Sequence, residues 1–186
     1  MNDFNQCLKD SHMAEDLPLW KEVYKKAFPS MIGMYNHRKD GDHQRQGIDR
    51  SIILENSKQV LVDEKVRFRN KITGKVYEDI ALEYLSNKEK NIPGWVCKPL
   101  LSDFIAYAIA PIGICYLLPV IQLQSSWEKN KELWLNSYFS IAAKNYSGNK
   151  YLYTTMSLCV PVGILFKEIG QQLRISFESF EDICNP

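Results

Sequence analysis

The sequence predicts one mixed α/β domain whose elements run helix, three strands, helix, strand, with a further strand and helix toward the C-terminal end. Three observations predict it. Leu17 to Phe28 is an amphipathic stretch, Gly47 to Leu54 and Gln59 to Phe68 are β-branched segments joined by a short connection, and Leu100 to Leu123 is a long apolar stretch divided by Pro111, Gly113 and Pro119.

Each element has its own signal. Leu17 to Phe28 carries Pro18 where a first helical turn tolerates it, repeats Leu19, Trp20, Val23, Tyr24, Ala27 and Phe28 at helical spacing, and ends at Pro29. Met31 to Asp42 is rich in Gly, Asn, Asp and His and reads as a loop. His37 and His43, with the aspartates between them, suggest a metal site, but their spacing fits no known ligand pattern and a solvated loop is the preferred reading.

The two β-branched segments form an antiparallel hairpin across Glu55-Asn56-Ser57-Lys58, and a third strand at about Tyr77 to Leu85 completes a meander. Beyond the turn-forming Ser86 to Gly94, a helix is expected from Lys98-Pro99 through Leu101, Phe104, Ile105 and Ala108 to Ile109. Ile114 to Val120 has the continuous apolar character of a strand buried on both faces. Ile121 to about Leu135 is a helix with one charged face, Tyr151 to Val160 a strand, and Val162 to Leu173 a closing helix. A single domain over 1–186 is expected, its core at about 17–120 and its C-terminal extension at about 121–186.

Composition narrows the class. Hydrophobic residues make up 45% and charged residues 24%, the balance of a chain that folds around a core. With 23 basic against 22 acidic residues, the chain is no uniformly basic coat for nucleic acid, yet His43 to Lys75 holds eight Lys and Arg against four acids. Asp103, Pro111, Gly113 and Pro119 argue against reading Leu100 to Leu123 as a membrane span. Cys7, Cys97, Cys115, Cys159 and Cys184 are odd in number and show no zinc spacing, and Met1 to Lys9 lacks a signal peptide, so free thiols and a cytoplasmic location are expected.

Chemistry concentrates on the hairpin. Asp49 stands near the start of its first strand, and Asp63-Glu64-Lys65 is the one acid-x-Lys triplet of the chain. Side chains alternate on a strand, so Asp63 and Lys65 project to one side while Val62, Glu64 and Val66 project to the other. If Asp49 reaches them, two carboxylates can hold a divalent cation such as Mg²⁺ (or Mn²⁺).

An acid on one strand, an acid-x-Lys triplet on the next, and the surrounding helix and strand order resemble the PD-(D/E)xK nuclease superfamily, over about Leu17 to Val120. A looser likeness is to uncharacterised phage-type proteins. The resemblance implies a restriction-endonuclease-like αβββαβ core with a mixed central sheet flanked by helices. It also implies metal-dependent phosphodiester hydrolysis of nucleic acid, DNA rather than RNA, with Asp49, Asp63 and Lys65 catalytic. Asp49, Asp63 and the backbone carbonyl of Glu64 would be the metal ligands, joined by Glu15 or Glu22 of the first helix. Nucleases that cut both strands often work as homodimers, and no membrane partner is implied.

Arg45, Arg50, Arg67 and Arg69 are the candidates for tracking a phosphate backbone, against a merely solvated basic face. A plainer reading of Asp49, Asp63, Lys65 and Arg67 is cross-strand ion pairing, worth only ~0.2–1 kcal/mol per pair. A nuclease scaffold without chemistry, serving to bind nucleic acid or protein, is the alternative function. Trp95, Trp127 and Trp134 read as core before base-stacking platforms, and Glu83 as a surface acid. Asp103 is expected either to pair with Lys98 or another base, or to face the cleft.

Overall fold

The computed structural model describes residues 2–3, 13–14, 16–37, 39–70, 73–170 and 173–180. The chain divides into two compact units, each assembled from separated stretches: Met1–Ser11, Glu78–Pro99 and Ile121–Gly170 form one, and His12–Tyr77, Leu100–Val120 and Gln171–Pro186 the other. Residues 78–99, expected in the same core as the hairpin, therefore group with 121–170.

The unit that carries the hairpin contains helix α1 (Leu19–Ala27), strand β2 (Met31–Asn36), the short helix α2 (Gly41–Arg45), and strands β3 (Arg50–Leu54), β4 (Gln59–Arg67), β7 (Phe104–Ile109), β8 (Ile114–Pro119) and β11 (Leu173–Ser176). Its six strands form one mixed sheet in the order β11-β8-β7-β4-β3-β2. β2, β3 and β4 are an antiparallel meander, β7 joins β4 in parallel with Asp63 opposite Ile105, and β8 returns antiparallel to β7. A mixed α/β architecture is the outcome.

α1 covers one face of this sheet. Its Leu19, Trp20, Val23 and Tyr24 are buried against Ile52, Val62, Ala106, Ala108, Cys115 and Leu117, so β3, β4, β7 and β8 each contribute to one core. The alanines explain the close fit. Along β7 the side chains alternate in size, with small Ala106 and Ala108 on the helix side of the sheet, leaving room for Trp20 and Tyr24.

The other unit holds strands β1 (Asn2–Asp3), β5 (Asp79–Asn87), β6 (Ile92–Pro93), β9 (Ser140–Ser147) and β10 (Lys150–Pro161), with helices α3 (Val120–Ser137, from Ile121 on) and α4 (Val162–Ile169). Its sheet runs β1-β9-β10-β5-β6, built on the long β10. Trp127 of α3 stacks on Tyr84 of β5 with ring centroids 5.9 Å apart, and Lys129 Nζ meets Glu168 Oε2 at 2.8 Å to tie α3 to α4. Trp95, Trp127 and Trp134 are all buried, as core aromatics are expected to be.

Four expected elements change. One is the closing helix, expected to reach Leu173, which ends at Ile169, with Leu173 starting β11 beside β8. Residues 104–109, expected in a helix, form β7; the segment is apolar on both sides, and helical and buried-strand patterns look alike over so short a run. The segment expected as the third meander strand is β5, which pairs with β10 and β6 in the other sheet. The third strand of the meander is instead β2, taken from the stretch read as a loop, a half-exposed edge strand interrupted by a bulge near Gly33. Asp103 takes neither expected role: its Oδ2 accepts the Leu61 N–H at 2.8 Å and its own N–H donates to the Leu61 carbonyl at 2.7 Å, starting the β4–β7 ladder.

Among the described residues, no helix is long and apolar enough to cross a membrane. Cys97 and Cys115 are free thiols.

Candidate active site

β3 begins just after a bend that favours glycine. Gly47 has φ +72°, and a Cβ there would lie 2.5 Å from Leu100 Cδ2. The bend delivers Ile48 to the interior and Asp49 to the end of the hairpin. There the regular ladder stops. The Asp49 N–H donates to the Val62 carbonyl at 2.9 Å, while the Asp49 side chain, through Oδ2, accepts the Glu64 N–H at 2.7 Å.

This brings the two aspartates together. The Asp63 side chain is 4% exposed, and the Asp49 carboxylate, held on the N–H of the next residue, is its charged neighbour. Burial pushes the Asp63 carboxyl up to about 7; Lys65 pulls it down and the neighbouring Asp49 pushes it further up. Lys65, two residues along the same face, ion-pairs with Asp63 Oδ1, and its Nζ lies 3.5 Å from the Glu64 carbonyl. The Lys65 side chain keeps 32% of its surface in solvent, so the cluster is accessible from the lysine side.

The intervening Glu64 points the other way, as strand alternation requires. Arg50 grips its carboxylate twice, Nε to Oε1 at 2.6 Å and Nη2 to Oε2 at 3.1 Å, and the Tyr24 hydroxyl donates to Oε1 at 2.7 Å. Burial pushes the Glu64 carboxyl up to about 7 against the pull of Arg50 and Tyr24, and burial likewise raises Tyr24 well above the ordinary phenol range. Sequence reasoning did not find this triad. Its signal was the Arg50 to Glu64 diagonal across the hairpin, but pairing it with Tyr24 needed the docking of α1.

Asp49, Asp63 and Lys65 are thus brought together on one side of the hairpin. Of the first-helix acids, Glu22 is exposed and pairs with Lys26 at 2.6 Å, and Glu15 lies outside the described residues. Among the candidate phosphate contacts, Arg50 is only 5% exposed and committed to Glu64, so its guanidinium is an internal partner and not a surface contact. Arg45 is exposed and pairs with Asp42, Arg67 lies over the Tyr77 ring at 5.5 Å, and Arg69 donates to the Gly74 carbonyl at 2.7 Å.

The donor set suits a hard divalent cation. Two carboxylates that converge and repel each other's charge in a buried setting gain from a cation placed between them, which would take the position of the proton that burial otherwise favours on Asp63. The Glu64 side chain is excluded as a ligand by Arg50 and Tyr24, which leaves its carbonyl on the lysine side.

A second group lies near by. His37 follows β2 and its N–H donates to the Asp49 carbonyl at 2.8 Å; Asp40 caps α2; His43 lies within α2. One ligand atom from each of the three falls within 4.8 Å of the other two. The sequence suggests a metal site among these residues but favours a solvated loop, because their spacing matches no known ligand pattern and the strand and short helix that bring them together are composed like a loop. In comparisons with known proteins the chain matches no family model, no curated protein and no solved structure.

Proposed function

We propose that this protein is a metal-dependent phosphodiesterase of the PD-(D/E)xK kind acting on nucleic acid, DNA before RNA, with Asp49, Asp63 and Lys65 as its working residues. The observation that carries the reading is the convergence of Asp49 and Asp63 at the end of the hairpin with Lys65 on the same face. The order α1, antiparallel β2-β3-β4, then β7 parallel to β4 supports it, with the first acid beside the second strand and the triplet on the third. One departure is plain: the passage from β4 to β7 runs through β5 and β6, where the family has a helix.

Bound Mg²⁺ or Mn²⁺ would neutralise phosphate charge and lower the pKa of a coordinated water. Asp49 and Asp63 would hold the ion, with the Glu64 carbonyl beside them. Lys65, tethered by Asp63 and partly in solvent, is set to direct its ammonium at a phosphate oxygen or at the attacking water. Arg50 and Tyr24 act through Glu64 to fix the strand that carries both working neighbours.

The alternative, a nuclease scaffold that only binds, is favoured by one observation: burying Arg50 removes a cation from the surface a substrate would meet. Calorimetric Mn²⁺ titration and cleavage of plasmid, linear and single-stranded DNA separate the two. The catalytic reading expects Mn²⁺ binding that disappears in Asp63→Asn, and cleavage that falls ~100-fold or more in Lys65→Ala while the metal still binds. Metal binding without cleavage of any substrate would leave the binding module standing. Equal, undetectable Mn²⁺ binding in wild type and both variants would end the metal reading of this cluster.

A further inference from the structure

The turn between β2 and β3 assembles three metal-ligating side chains that the carboxylate cluster does not use. The main chain holds them in place: Asp40 N–H donates to the His37 carbonyl at 2.7 Å, and Ile48 N–H to the His43 carbonyl at 2.9 Å. Asp40 Oδ1 caps α2 by accepting from the N–H groups of Asp42 and His43, which leaves Oδ2 against His43 Nδ1 at 2.7 Å. His37 Nε2 lies 2.6 Å from Ser51 Oγ, which also accepts from Gln59 Nε2 at 2.6 Å. A histidine oriented through one ring nitrogen by a fixed neighbour presents the other nitrogen in a defined direction, the usual support for a metal ligand.

We propose that His37, Asp40 and His43 form a second metal site, for a borderline dication of the Zn²⁺ class, distinct from the carboxylate pair at Asp49 and Asp63. Two imidazoles and one carboxylate are the donors such ions favour, whereas Mg²⁺ favours oxygen alone. His43 and Asp40 keep 38% and 45% of their side-chain surface in solvent, so an ion can enter and a water can complete its shell.

The geometry also says what must move. Zinc bonds of about 2.0–2.1 Å put tetrahedral ligand atoms roughly 3.3 Å apart, so the present trio has to contract. The two imidazoles stack nearly parallel, centroids 4.1 Å apart and planes at 7°, so their in-plane lone pairs do not converge. His37 is held by Ser51, and the half-exposed His43 is the ring able to turn. Metal binding opens the stack.

Co²⁺ titration of the full chain, read by visible d–d absorption and followed by displacement with Zn²⁺, tests the site. One Co²⁺ per chain with the intense visible absorption of a tetrahedral ion is expected, distinct from the weak absorption of an octahedral ion on oxygen ligands at the carboxylate pair, and without the near-ultraviolet sulfur-to-metal band that any of the five cysteines would give. His43→Gln and Asp40→Asn should each weaken binding ~100-fold or more, because losing a ligand costs at least as much as losing its supporting partner. Asp63→Asn should leave it unchanged, which separates this site from the carboxylate pair. Asn remains a good N-cap, so Asp40→Asn preserves α2, and far-ultraviolet dichroism of each variant checks the fold. Absence of Co²⁺ binding in the wild type, a sulfur band, unchanged affinity in folded Asp40→Asn, or loss of binding in Asp63→Asn would each overturn the proposal.

Discussion

Glu64 and Asp63 are neighbours on β4, both buried, yet they sit in opposite electrostatic company. Glu64 faces α1 and meets a bidentate arginine and a tyrosine hydroxyl; Asp63 faces away from it and meets a second aspartate and a partly solvated lysine. A buried charge enclosed by hydrogen bonds from its counter-ion is a structural element, because nothing remains for it to bind. A buried carboxylate beside another carboxylate is left with an electrostatic deficit that a cation would relieve. The contrast separates architecture from chemistry within three consecutive residues.

The largest effect is expected from breaking the enclosed face. At pH ~8, where Glu64 is ionised, Glu64→Ala leaves Arg50 buried without its counter-ion and should cost ~3–5 kcal/mol in denaturant unfolding, whereas Arg50→Met combined with Glu64→Leu should recover most of that loss. A double variant as unstable as the single would mean that the ion pair is itself a net source of stability, and the comparison would need redrawing.

Proton linkage sharpens the contrast. Asp63 and Glu64 hold their protons up to about 7 in the folded chain, whereas unfolded carboxyls release theirs near ~4, so the folded state binds more protons between these limits. Stability without metal should therefore fall as pH rises from ~4 to ~7 and level off above. Asp63→Asn removes one of the two protons, so the slope should shrink by up to ~1.4 kcal/mol per pH unit, measured by unfolding across the pH range. An unchanged slope would place the titration on Glu64 alone.

Smaller again is the stability cost of Lys65→Ala. Asp63 can keep a proton when the lysine is gone, so the loss should stay within ~1 kcal/mol near pH 6, far below that of Glu64→Ala. A loss of several kcal/mol would make Lys65 as structural as Arg50. The smallest change is expected for Arg67→Gln or Arg69→Gln, which should each flatten the logarithmic salt dependence of DNA binding by about one unit if they contact phosphate. No change would move the binding surface away from the hairpin's far end.

The sequence by itself determined the local features whose causes lie within a few residues. The amphipathic run of α1, the pairing of β3 with β4, and the alternation that sends Asp63 and Lys65 one way and Glu64 the other all follow from residue spacing. It also set Asp49 within reach of the triplet. What it could not decide were pairings between distant segments, because those depend on which surfaces bury each other and not on any local pattern. β7 needed the partners β4 and β8 to be a strand at all, β5 was claimed by β10 some seventy residues later in the chain, and β2 emerged from a stretch composed like a loop. The fate of Arg50 was decided in the same way: an arginine on a hairpin is a surface cation until a helix docks over it, and only the packing of Tyr24 above Glu64 turned it into an internal one. His37, Asp40 and His43 likewise converge only because β2 pairs with β3 and α2 folds in the turn between them.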